Sequence, residues 1–131
     1  MTPKQKKLLV ASAACLLLAA VAGMFLYHNH RSMIACTLEW GRLAPFPESA
    51  REFTIRAEGG MFTRAFRASF TADPEAIEKW LRDSPGTRDV SPEKLPPNRR
   101  RFKISPGGGA QGARVTVDDD AHAVAIYVYW S

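Results

Sequence analysis

The run LLVASAACLLLAAVAGMFLY, from Leu8 to Tyr27, places twenty residues in succession without a charge. As a helix rising about 1.5 Å per residue it would be roughly 30 Å long, the thickness of a bilayer's hydrocarbon core. Core helices of water-soluble domains seldom run so far without a polar face. Lys4, Lys6 and Lys7 precede it, with no acid nearby. By the positive-inside rule, residues 1–7 form a cytoplasmic basic tail, residues 8–27 span the lipid bilayer, and everything beyond lies outside the cytoplasm.

Two other readings compete with an uncleaved anchor. Ala20-Val21-Ala22 has the small-x-small form of a signal-peptide cleavage site. Against cleavage, Met24 to Tyr27 stays apolar, which suits a span better than a mature N-terminus. A lipoprotein signal ending at Cys15 would need Leu where Ser12 stands, and cutting there would leave CLLLAAVAG as a greasy start. The anchor is the preferred reading.

The chain is basic, with a net charge of +5 and a pI near 9.6. Lys4, Lys6, Lys7 and Arg31 supply four of those charges. Residues 32–131 carry 14 Lys and Arg against 13 Asp and Glu. The basicity is therefore mostly a topology signal, and the outer part lacks the broad positive footprint of a nucleic-acid binder. No nucleic-acid partner is expected.

Cys15 sits mid-span and Cys36 lies nine residues past Tyr27, so they cannot pair within one chain. There is no disulfide framework. In an oxidising compartment Cys36 is an odd thiol, either buried or free to link two chains into a disulfide-bonded dimer.

Residues 28–49 read as a juxtamembrane connector. MIACTLEWGRL extends the helix briefly and the prolines of APFPES end it. Residues 50–131 form a small extracytoplasmic domain. Its first part reads as two strands about a Gly59-Gly60 turn, with Phe62, Phe66, Ala68 and Phe70 sharing a face of the second. In DPEAIEKWLRDSPG, Asp73 caps a helix, Pro74 takes its first position, and Ile77, Trp80 and Leu81 make one apolar face. Glu75–Lys79 and Glu78–Arg82 stand at i,i+4 spacing. Pro-rich residues 85–99 follow, then three strands, RRRFKI, ARVTV and AVAIYVYW. The fold class is α+β: one N-terminal transmembrane helix plus a small antiparallel sheet with one packed helix, in the order β-β-α-β-β-β.

Chemistry-bearing motifs are few. Asp118, Asp119, Asp120 and His122 offer candidate metal ligands, but they lie between two alternating patterns, Val115/Val117 and Val124/Ile126/Val128. That is a hairpin turn, and three adjacent acids cannot all face one ion easily. Gly107 to Gly112 matches G-x-G-x-x-G by letter, yet a strand follows where the nucleotide-binding motif needs a helix. Arg99, Arg100 and Arg101 with Lys103 could meet phosphate, anionic lipid headgroups or an acidic partner, or keep a strand edge from pairing, which is the preferred reading. His28 and His30 make a weak metal pair and fit an interfacial collar better. Trp80, Tyr127 and Tyr129 are candidate interaction residues, with packing on the sheet the plainer reading of the tyrosines. No G-x-S-x-G, H-E-x-x-H or C-x-x-C is present. No catalytic residue, cofactor or metal site is assigned, and an enzyme is not expected.

FRASFTADPEAIEKWLRDSPG, with PGGGAQ, VTVDDD and IYVYWS after it, resembles a set of small, uncharacterised bacterial envelope proteins over residues 65–131. That resemblance implies a bacterial envelope protein and implies no activity; together with the apolar run it gives the expectation of a single-pass protein of the inner membrane with a periplasmic domain. The expected role is a membrane-anchored accessory or interaction module with a protein partner in the envelope. A small-molecule or peptide site in the helix–sheet groove is the alternative, and a carboxylate-dependent hydrolase the third.

Overall fold

The computed structural model describes every residue from Met1 to Ser131 and divides the chain into two compact units, Met1–Ser32 and Met33–Ser131. Helix α1, Pro3–Gly41, begins in the first unit and ends in the second. Its start is a capping box. The Thr2 hydroxyl accepts the Gln5 N–H at 3.2 Å while the Gln5 side chain accepts the Thr2 N–H at 2.8 Å, and Pro3 takes the first helical position. Throughout the first unit the side chains are exposed, including Leu8, Leu16, Leu18 and Phe25. The helix is long and apolar enough to cross a membrane.

The second unit is an antiparallel sheet with helix packed on one face. Its elements are β1 (Arg51–Glu58), β2 (Arg64–Thr71), α2 (Pro74–Asp83), β3 (Glu93–Leu95), β4 (Arg99–Ile104), β5 (Gly112–Asp118) and β6 (Ala123–Trp130). The strand order is β1-β2-β6-β5-β4-β3. The last strand is thus central, with β2 on one side and β5 on the other. The α+β class holds, with one strand more than the sequence pattern gave. β3 is only three residues long and lies within the Pro-rich excursion, where no alternation could mark it.

Period-two alternation sorts the sheet into two faces. Phe66, Ala68 and Phe70 of β2, Phe102 and Ile104 of β4, Val115 and Val117 of β5, and Val124, Ile126 and Val128 of β6 point inward and are buried. Ile77, Trp80 and Leu81 of α2 close over them. The Trp80 ring meets Phe70 edge-on at 5.4 Å between centroids. The end of α1 covers the same face, with Trp40 on Phe66 at 5.3 Å.

Polar bonds lock the α1 end to α2. Gly86 N–H donates to Arg42 C=O at 2.8 Å, Ala44 N–H to Ser84 Oγ at 2.9 Å, and Trp80 Nε1–H to Ala44 C=O at 2.9 Å. Leu43 is buried, and Phe46 stacks among Phe53, Phe70 and Trp80, so residues 33–46 help to build the core.

Some local expectations shift. Phe62 does not join the face of Phe66 but sits exposed in the β1–β2 turn with Met61. The Asp73 side chain makes no cap hydrogen bond and lies 3.6 Å from Arg51. Lys79 pairs with Asp83 at 2.6 Å rather than with Glu75, and Glu78 is drawn across to Arg100 rather than to Arg82. A sheet partner with a forked guanidinium outcompetes the local helix pair.

A candidate binding surface on the open face of the sheet

No helix covers the outward face, and apart from the small, buried Ala65 its side chains are exposed or half-buried. Cross-strand register decides which of them meet. Arg67 of β2 stands opposite both Arg56 of β1 and Tyr127 of β6, Tyr127 stands opposite Arg114 of β5, and Arg114 opposite Lys103 of β4. One row across five strands therefore carries four cations around a single tyrosine.

The Arg67 and Arg114 guanidinium carbons lie 4.1 Å and 4.6 Å from the Tyr127 ring centroid, and the Tyr129 ring stacks on Tyr127 at 5.4 Å. Aromatic faces attract cations, so the ring holds two like charges closer than they would otherwise sit. Arg67 Nε also donates to Glu58 at 2.9 Å, and Arg56 meets the same carboxylate at 3.0 Å. The Arg67 hydrogen bond holds the Glu58 carboxyl below the usual carboxylate range; desolvation is the next influence and opposes it, and the charges of Arg67 and Arg56 add to the lowering. Arg114 meets no carboxylate.

The neighbouring row is small and hydroxylated: Thr54, Ser69, Ala125 and Thr116. Thr54 Oγ1 and Ser69 Oγ lie 2.6 Å apart. Short residues beside long ones leave a depression of about 560 Å³, floored by this row and walled by Arg67, Tyr127 and Arg114.

The residues singled out from sequence are scattered by comparison. Asp118 accepts the N–H groups of Asp120 and Ala121 at 3.0 Å each, which shapes the β5–β6 turn, and His122 completes it with φ of 51°. Asp119 binds Arg100 and Asp120 binds Asn98, so the three carboxylates diverge instead of facing one point. Arg100 points inward between Glu78 and Asp119. Burial alone would lower its pKa, but its bonds to Asp119 and Glu78 outweigh that and raise it. Arg101 pairs with Glu93 at 3.1 Å, and Arg99 donates to the Pro96 carbonyl. Trp80 is 3 % exposed, and the space between α2 and the sheet is filled by core side chains. Gly107 to Gly112 leads into β5, a strand. Cys36 is half-buried against the core.

Of the sequence candidates, Arg99, Arg101, Lys103, Tyr127 and Tyr129 stand on the open face, and among these Tyr127 lines the depression. Arg56, Arg67 and Arg114 were not picked out. Each alternates with apolar neighbours, which marks it as outward-facing, but only the strand order shows that four such positions share a row. No family model, curated protein or solved structure matches the chain, so the geometry alone carries the functional reading.

Proposed function

We propose that this chain is a membrane-anchored interaction module. In this reading α1 fixes it in the inner membrane with the N-terminus in the cytoplasm, and the domain from Met33 onward works in the periplasm. The uncharged run from Leu8 to Tyr27, flanked by Lys4, Lys6 and Lys7, supports the anchor and its orientation. The observation that carries the role is the row Arg56, Arg67, Tyr127, Arg114, Lys103 on an otherwise uncovered sheet face. An antiparallel sheet commonly leaves one face solvated and polar. Here the cations are collected, and two of them are held by one aromatic ring.

The test is site-specific photo-crosslinking in native membranes. A crosslinking residue replacing Thr116 in the full chain is expected to give a discrete adduct that disappears in the Arg114→Glu background. The same probe replacing Arg82, on the outer side of α2, is expected to give none. Adducts from Arg82 but not from Thr116 would place the working surface on the helical side and overturn this reading.

A further inference from the structure

We infer that the depression beside Tyr127 binds a phosphate ester carrying a hydroxylated organic group, with Arg114 and Arg67 holding the phosphate. This rests on the open face being the working surface and names the chemistry it takes.

Arg114 carries the inference. Its guanidinium offers five N–H donors in a fixed fork, suited to carboxylate or phosphate oxygens. It lies against the Tyr127 ring face, which takes none of those donors. Of the other open-face arginines, Arg56, Arg67 and Arg101 each meet a carboxylate, Glu58 or Glu93, and Arg99 donates to the Pro96 carbonyl. Arg114 is thus held in place by the ring while its donors stay available. Arg67 commits Nε to Glu58 and keeps its terminal N–H groups, and the hydroxyl of Thr116 adds a further donor on the floor of the depression.

Ligand class follows from donor count and shape. One guanidinium fork satisfies a carboxylate, whose two oxygens leave the second guanidinium and the hydroxyl unused. A phosphate ester presents more acceptor oxygens and can carry a second negative charge. The depression, at about 560 Å³, lies within the range of small-molecule sites, roughly 300–1,000 Å³, and far exceeds a bare phosphate. The remaining floor carries the Thr54–Ser69 hydroxyl pair beside Ala125, which offers hydrogen-bond partners to a compact polyol. An acidic peptide fits less well. β2, β6 and β5 are each paired on both sides, so an extended chain crossing them would find no free backbone to pair with.

Two sources could present this chemistry, a lipid headgroup or a soluble phosphate ester, and the experiment separates them. The full chain is reconstituted in nanodiscs of phosphatidylcholine, and glycerol 3-phosphate and inorganic phosphate are titrated by calorimetry. Saturable binding of glycerol 3-phosphate, tighter than that of inorganic phosphate, is expected. Arg114→Gln is expected to weaken it by about tenfold to a hundredfold, the scale of a lost charge-assisted bidentate contact. Arg114→Lys, keeping charge without the fork, should fall between, and Arg82→Gln should bind as the wild type does. If added phosphatidylglycerol suppresses glycerol 3-phosphate binding in wild type, the source is a lipid headgroup; if binding is indifferent to it, the source is soluble. No saturable binding of glycerol 3-phosphate, or binding unchanged in a folded Arg114→Gln protein, overturns the proposal. Saturable binding of poly-glutamate alone would overturn the phosphate assignment yet leave the open face as the working surface. Loss of the Thr116 photo-adduct reading would instead remove the premise.

Discussion

Arg114 and Tyr127 stand directly opposite each other across β5 and β6, with the guanidinium carbon 4.6 Å from the ring centroid. From the other side of β6, Arg67 reaches the same ring at 4.1 Å. One tyrosine on the central strand therefore positions two cations that would otherwise repel.

The ring should matter and its hydroxyl should not. Tyr127→Leu removes two cation–ring contacts, each about 0.5–1 kcal/mol at such a site, and should cost about 1–2 kcal/mol of stability. Tyr127→Phe keeps both contacts, since the hydroxyl makes no recorded hydrogen bond, and should melt close to wild type. Thermal denaturation of the two variants side by side checks this. An equal loss in both would move the cause from the ring to the hydroxyl.

Among the consecutive aspartates, Asp119 should dominate. Arg100 binds it with both Nε and a terminal nitrogen, at 3.0 and 2.9 Å, and the same terminal nitrogen reaches Glu78 on α2. This part-buried fork ties the sheet to the helix. Arg100→Ala leaves two carboxylates facing each other and should cost about 2–3 kcal/mol, less than a fully buried pair would. Asp119→Asn should cost about 1–2 kcal/mol by weakening a charge-assisted bond. Asp120→Asn touches only an exposed bond to Asn98 and should stay within about 0.5 kcal/mol of wild type. Urea denaturation of the three variants tests the ranking.

Local signals were readable in the chain, and long-range ones were not. The apolar face of Ile77, Trp80 and Leu81 and the alternations around Val115 and Val124 each follow from a few adjacent residues, and each appears as expected. Thr2-Pro3-Lys4-Gln5 carried a capping-box signal as well, overlooked beside the long apolar run. Glu78 went astray because i,i+4 spacing favoured Arg82, whereas its partner Arg100 is 22 residues away. The open-face row failed for the same reason. Arg56, Arg67, Lys103 and Arg114 become neighbours only when β6 inserts between β2 and β5, and alternation shows which face a residue takes but not which strands are adjacent.

Acid should loosen the β1–β2 hairpin and free Arg67 together. The Arg67 hydrogen bond depresses the Glu58 pKa in the fold, with Arg56 assisting. A depressed carboxyl contributes stability above its unfolded pKa and loses that contribution as pH falls through the folded value. The effect is modest, because Glu58 is solvent-accessible. Glu58→Gln should therefore flatten part of the wild type's loss of melting temperature on acidification, while Arg67→Gln should do the same from the other partner. Melting both variants and wild type from neutral pH down through the carboxylate range checks the sign. A steeper acid dependence in Glu58→Gln would contradict it.

The largest effect should come from removing Tyr127 to Ser131. This segment is the second half of β6, paired with β2 through Tyr127, Val128, Tyr129 and Trp130 and with β5 through Tyr127, Val128 and Tyr129. Val128 is fully buried, and Tyr129 fills the space over Gly112, where any Cβ would overlap its ring. Deletion would strip the ladder from both neighbours at once and open the core beside Phe66 and Ala113. Full burial of a side chain such as Val128 is worth roughly 1.5–3 kcal/mol, and the half-buried Tyr127 and Tyr129 add to it, against about 5–15 kcal/mol for a whole domain. The truncated chain is therefore expected to lose its cooperative melt. Removing Met1 to Arg31 deletes only exposed side chains of the first unit and should leave the sheet domain folded. Circular dichroism with thermal melting of both truncations decides the matter. A cooperative transition in the C-terminal deletion would mean that β2 and β5 hold without the centre of their sheet, against the topology described above.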